Sequence, residues 1–87
     1  MVRNRELVTV QGVTAVLREG TAGPFMIFAH VTAVNHKGKP VTLSSVVTKE
    51  SREDRRACRT RALREARDTV RKLKRVKWGT ARLEGMS

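Results

Sequence analysis

The sequence predicts an α+β domain: an antiparallel sheet of three to four strands with one long basic C-terminal helix packed on one face. Two observations predict it. Ten of the twelve valines and six of the nine threonines precede residue 50, and β-branched side chains suit a half-buried pleated surface. After residue 50 the chain turns to Arg, Ala, Leu, Glu and Lys, which are mostly good helix formers. The expected organisation of residues 1–87 is a single small basic domain, with the sheet in 5–47, the helix over 51–77 and a tail at 79–87.

The segment "RELVTVQGVTAVLRE" (5–19) alternates in two registers. Leu7, Thr9 and Gln11 oppose Val8 and Val10, and beyond Gly12 the apolar phase moves to Val13, Ala15 and Leu17. A phase change at a glycine means either a bulge in one bent strand or a tight hairpin at Gln11-Gly12. "GTAGP" (20–24) is loop chemistry. "FMIFAHVTAV" (25–34) reads as a strand with Phe25, Ile27, Ala29, Val31 and Ala33 on one face. "NHKGKP" (35–40) is a hairpin loop, and "VTLSSVV" (41–47) is the returning strand.

The helix start is marked by Ser51 with Asp54 three residues later, a variant of the capping box. Glu50, Glu53 and Asp54 stand at that end and Lys72, Lys74, Arg75 and Lys77 at the other, as the helix dipole favours. Gly79 is the expected stop. A helix over 51–77 would be about 40 Å long, longer than a few short strands can cover, so its last turns would project or pack on a partner chain. At about 100° per residue, Cys58, Ala62, Leu63, Ala66, Val70, Leu73 and Val76 gather into one apolar stripe of mostly small side chains. Opposite fall Arg56, Thr60, Arg64, Arg67, Arg71, Lys74 and Arg75, with Arg61 and Lys72 on the flank.

Net charge bears on partners more than on fold. The chain carries 13 Arg and 6 Lys against 8 acids, a net +11, and solubility alone asks for a magnitude of only about 2–8. Like charge at this density opposes compactness, so it points to an anionic partner. Helical Glu–Arg pairs contribute only about 0.2–0.5 kcal/mol each, and the outward face carries few acids to make them. Guanidinium groups match phosphate with two parallel hydrogen bonds. The expected function is therefore nucleic-acid binding, duplex preferred, through phosphate contacts from Arg56, Arg61, Arg64, Arg67, Arg71, Lys72, Lys74 and Arg75. Lys37 and Lys39 at the hairpin tip form a second contact if that loop folds toward the same side. Readers of single strands stack bases on aromatic side chains. Phe25, Phe28 and Trp78 are few for that mode, and duplex phosphates need none.

Other classes are disfavoured. His30, His36 and Cys58 lack zinc-type spacing, "GTAG" leads into a strand rather than a helix, and no nucleophile has an adjacent base. The reading is of a non-enzyme with no metal and no cofactor. The single cysteine suits a reducing cytoplasm, and "PFMIFAHV" is too short to span a bilayer. The stripe of small residues lacks the bulky anchors of a helix that lies on a membrane.

In topology, a sheet followed by one long basic helix is similar to the arm-binding domains of phage-type integrases and to plant AP2 domains. Their three-stranded sheet is braced by a C-terminal helix and enters the major groove. The strands here lack the Trp and Arg patterning of AP2 domains, so the likeness implies a duplex-binding architecture and no site residues. The rival reading is a small phage- or plasmid-type inhibitor that docks its basic face on an acidic surface of a host enzyme or nucleoprotein complex. On strand 25–34 the second face carries Met26, Phe28 and Val34, which one helix cannot cover. A homodimer is the expected cover.

Overall fold

A computed structural model describes residues 3–85. Four strands form one antiparallel meander in the order β1–β2–β3–β4: β1 (Arg3–Val10), β2 (Val13–Thr21), β3 (Met26–Val34) and β4 (Pro40–Lys49). One helix, α1 (Arg55–Lys72), packs on one face, and a short 3₁₀ turn follows at Leu83–Gly85.

The change of register at Gly12 is a hairpin. Gln11 and Gly12 have φ of 50° and 79°, the left-handed pair of a two-residue turn whose twist matches the flanking strands. Val10 then pairs with Val13, so the even residues of β1 and the odd residues of β2 share a face. That face joins Val8 and Val10 to Val13, Ala15 and Leu17, and continues through Ile27, Ala29, Val31 and Ala33 of β3. Phe25 departs from the expected pattern. It precedes β3 at φ 64°, and its ring is 80% exposed because the turn from Ala22 to Met26 rotates it out of the strand's alternation. A register shift at Val31/Thr32 gives β4 an extra residue, so the consecutive Leu43 and Ser44 are both buried.

The helix is shorter than 51–77 at both ends. Arg52 and Glu53 donate their N–H groups to the Lys49 carbonyl, so Ser51 lies in the turn that reverses the chain after β4. Asp54 is the N-cap and accepts from the Ala57 N–H at 2.8 Å. At the other end Leu73 takes φ −89°, ψ 60°, and the chain folds back although residues 73–78 are compatible with helix. An 18-residue helix is about 27 Å long, close to the length of the strands it crosses.

Cys58, Ala62 and Ala66 face the sheet at 1%, 0% and 0% exposure. Their small size lets the backbones approach closely enough for the Ser44 hydroxyl to donate to the Ala62 carbonyl at 2.7 Å. Leu63 and Val70 pack at the margin of this core. Leu73 and Val76, expected on the same stripe, lie beyond the helix end. The Cys58 thiol is buried, and burial raises its pKa, which keeps it protonated and unreactive.

The tail is part of the fold. Lys77 accepts from the His36 N–H at 2.8 Å and Gly79 donates to the Val34 carbonyl at 2.9 Å, with a bridge between Asn35 and Trp78. Gly79 is there for room: a Cβ would stand 2.5 Å from the Asn35 carbonyl oxygen and 3.3 Å from a Val34 methyl. Val34 belongs to the face away from the helix, so the chain crosses to that side, and the 3₁₀ turn reaches β1. Val16 and Thr32, also on that face, are 1% and 7% exposed, and Ala81 is 1% exposed. Among the described segments only the tail is placed to cover them. The other half of the face stays open.

Candidate nucleic-acid interface

Packing its small-residue stripe on the sheet turns the helix's cations outward. Arg56, Thr60, Arg64, Arg67 and Arg71 follow one another at steps of three and four residues and are all exposed, so they form one row. From Arg56 to Arg71 the row runs about 22 Å at 1.5 Å per residue, about the axial rise of six base-pair steps of a duplex. Near the helix start the row borders a shallow groove of about 420 Å³, lined by Arg56, Thr60, Arg61 and Arg64 together with Glu53 and Asp54.

Not every helix cation is available. Arg61 holds Glu53 with two bonds, Nε to Oε2 at 3.1 Å and a terminal nitrogen to Oε1 at 2.7 Å. That hydrogen bonding lowers the Glu53 pKa and raises the Arg61 pKa. The pair fastens the helix start to the turn after β4. Arg59 faces the sheet and bonds Glu6 of β1, with Glu19 of β2 at 3.4 Å. The Arg59 hydrogen bond holds the Glu6 carboxyl below the usual range. Two acids that are scattered in the sequence therefore meet one arginine that clamps helix to sheet.

Along the outward row, Arg67 Nε donates to the Leu63 carbonyl at 3.4 Å, and Arg71 has Asp68 at 3.5 Å. Arg56 and Arg64 have no carboxylate at ion-pair distance among the described residues. The same holds for Lys72, Lys74, Arg75, Lys37 and Lys39. Lys72 closes the helix, while Lys74 and Arg75 stand in the turn after it.

The hairpin tip is built on Asn35. Its Oδ1 accepts from the N–H groups of Lys37 at 2.9 Å and Lys39 at 3.0 Å, and Gly38 supplies φ 79°. Both lysines are exposed. Through the bond from His36 to Lys77, this tip lies against the chain that leaves the helix. The hairpin tip with Lys37 and Lys39 and the segment with Lys74, Arg75 and Lys77 are thus joined at the end of the sheet where Asn35 meets Trp78.

A second concavity lies on the open half of the other sheet face, which strand patterns alone do not assemble. It measures about 560 Å³ and is lined by Asn4, Arg5, Arg18, Ala22, Phe28, His30 and Val47. The register places Arg5 opposite Arg18, Arg18 opposite His30 and His30 opposite Ser45. Phe28 and His30 stack with ring centroids 4.8 Å apart at 23°, and Ser45 Oγ lies 2.8 Å from His30 Nδ1. Burial first, then the Arg18 charge, lowers the His30 pKa. The one signal in the sequence is the spacing of Phe28 and His30, two residues apart on one strand face.

Among the described residues no helix is long and apolar enough to cross a membrane. Comparisons with protein-family models, with curated proteins and with solved structures returned no match.

Proposed function

We propose that the protein binds nucleic acid, preferably duplex, by setting the outward arginine row of α1 along a phosphate backbone while the hairpin tip makes a second contact. The observation that carries this reading is the backbone bond from His36 to Lys77. It ties the hairpin that carries Lys37 and Lys39 to the segment that leaves the helix, which supports a surface made of cations from two separate parts of the chain. A helix packed on only one side leaves its other side accessible to a groove about 12 Å wide. Arginine in exposed positions suits phosphate oxygens, and phosphate contact positions a protein without reading sequence.

Fluorescence anisotropy with labelled duplex DNA, duplex RNA and single strands across a salt gradient tests the proposal. Neutralising about five to eight phosphates gives an expected log–log slope of roughly −4 to −7. Replacing Arg64, Arg67 and Arg71 together by Ala is expected to reduce that slope by up to about three, weakening all sequences alike. Binding unchanged at about 0.5 M salt, or a triple variant equal to wild type, would overturn the phosphate reading. It would favour instead an inhibitor that docks on an acidic protein surface.

A further inference from the structure

We propose that the duplex lies over the β1 side of α1, so that the outer edge of β1, at Thr9, is a further contact for its phosphate backbone. The placement rests on the helix row as a phosphate site and adds the side from which the duplex approaches.

The helix is polarised in cross-section. Opposite the buried Ala62 and Ala66, Arg64 marks the crest. At about 100° per residue, Arg56, Thr60 and Arg67 fall on the flank between Arg64 and Leu63, and Arg71 stands beside the crest. That flank faces β1, because Leu63 and Arg67 line a groove of about 310 Å³ with Val8, Thr9 and Val10. The opposite flank carries Glu65 and Asp68, both exposed, with Arg61 already on Glu53 and Lys72 at the helix end. The row of cations leans toward β1, and acids stand behind it.

The two sheet edges differ in the same sense. On the β4 side the turn into the helix adds Glu50, Glu53 and Asp54. On the β1 side the acids that face the helix, Glu6 and Glu19, both meet Arg59, and Glu84 comes to β1 only with the 3₁₀ turn, from the other sheet face. Val10 pairs with Val13 across the two-residue turn. The main-chain groups of Val8 and Val10 accordingly point at β2, and those of Thr9 point at the free edge. Thr9 is exposed and offers a hydroxyl and an N–H, both donors of the kind that bind phosphate oxygens.

A row of cations along one flank asks for a partner with charge at regular intervals, which a duplex backbone supplies at every base-pair step. Laid on the β4 side, the same backbone would meet Glu50, Glu65 and Asp68 and lose attraction at each. The outer edges of β1 and β4 are three strand spacings apart at about 4.8 Å each, farther than the Debye length of about 8 Å at 0.15 M salt. A single charge added at one edge is felt there and screened at the other.

Matched charge changes at the two edges test the placement, read by fluorescence anisotropy of the full chain with a labelled DNA duplex. Thr9 on β1 and Thr42 on β4 are both exposed strand threonines, so each substitution changes the net charge equally, and native amide spectra check the folding of every variant. At about 0.15 M salt, Thr9→Glu is expected to weaken binding about tenfold and Thr42→Glu about twofold or less. Across a salt gradient, Thr9→Lys is expected to tighten binding and steepen the log–log slope by about one, with Thr42→Lys keeping the wild-type slope. The placement is overturned if the two Glu variants weaken binding equally, or if Thr9→Lys leaves the slope unchanged. With a wild-type slope still at roughly −4 to −7, the helix reading then stands without it. A flat wild-type slope removes the helix reading itself, and the placement with it.

Discussion

At φ 64° Phe25 holds a backbone conformation that costs an L-residue roughly 1–2 kcal/mol, and its ring, 80% exposed, recovers little by packing. What holds it is the backbone: its carbonyl accepts from the Glu50 N–H at 2.8 Å, closing the turn onto the end of β4. Asn tolerates this region better, so Phe25→Asn is expected to stabilise the fold by about 0.5–1 kcal/mol, read as a higher urea midpoint at constant m-value. His30 makes a different kind of demand. The groups that face it are Arg18 on β2 and Ser45 on β4, with Phe28 stacked beside it on β3. The unfolded chain binds its proton near 6.5, whereas the folded chain binds it only at lower pH. Between those values the unfolded state holds more protons, so stability rises with pH there. The contribution is fully present above about pH 6.5 and is lost as pH falls through the folded value. Urea midpoints measured from about pH 5 to 7.5 are expected to climb for wild type and to flatten for His30→Gln over that window. Glu6, held low by Arg59, adds the same sign further down, below its ordinary 4.5.

The element that departs most from its local propensity is the segment after Lys72. Leu73 to Trp78 is a good helix sequence, but continuing α1 would carry it past the sheet. Folding back instead gains the bonds from His36 to Lys77 and from Gly79 to Val34, and it buries Ala81. Gly79 is the point on which this depends. A Cβ 2.5 Å from the Asn35 carbonyl has backbone as its neighbour and nowhere to shift, so Gly79→Ala is expected to cost about 1–3 kcal/mol, as overpacking does. Hydrogen exchange should show the loss first at the His36 amide, with the helix amides still protected. A variant as stable as wild type would mean that the tail does not depend on this close approach. The same substitution separates tail from hairpin tip, so weaker duplex binding with a retained helix row would follow from the proposed function.

For the molecule as a whole the opposing terms are a thin core and a net charge of +11. The core is built from valine, alanine and a few larger residues, and the tail adds cover to the second face. What stays apolar and accessible there lies at one end, where Phe28 pairs with Val47, itself 52% exposed, next to the turn that carries Phe25. Self-association through this end is our expectation. Repulsion between like-charged copies reaches about 30 Å at 0.01 M salt and about 8 Å at 0.15 M, so the chain should sediment as a monomer at low salt and associate as salt rises. Phe28→Ser is expected to abolish the association. A monomer under both conditions, with the variant unchanged in mass, would remove a second copy from this face.

Local periodicity was enough to read the sheet followed by a basic helix, the inward face of β3 and the outward arginine row, because each depends only on spacing along one element. The sequence also limited the Gln11-Gly12 segment to two forms, and the positive φ of both residues decided for the hairpin. Where the helix begins and ends was not legible. Ser51 and Asp54 are both competent caps, and the Lys49 carbonyl chose between them by drawing Ser51 into the turn; the stop at Lys72 was set by the tail's bonds to the hairpin, which lie outside the helix's own sequence. Arg59 and Arg61 look like the other arginines by spacing, yet Arg59 meets Glu6 and Glu19, which are far from it in the chain, and Arg61 meets Glu53 only because of the turn before the helix. The groove of Arg5, Arg18, Phe28 and His30 depends on the register of three strand pairs at once, and a shift of one residue would turn each side chain to the other face. Periodicity determined which side of an element is apolar or charged; only tertiary packing decided which arginines meet a carboxylate and which have none at ion-pair distance among the described residues.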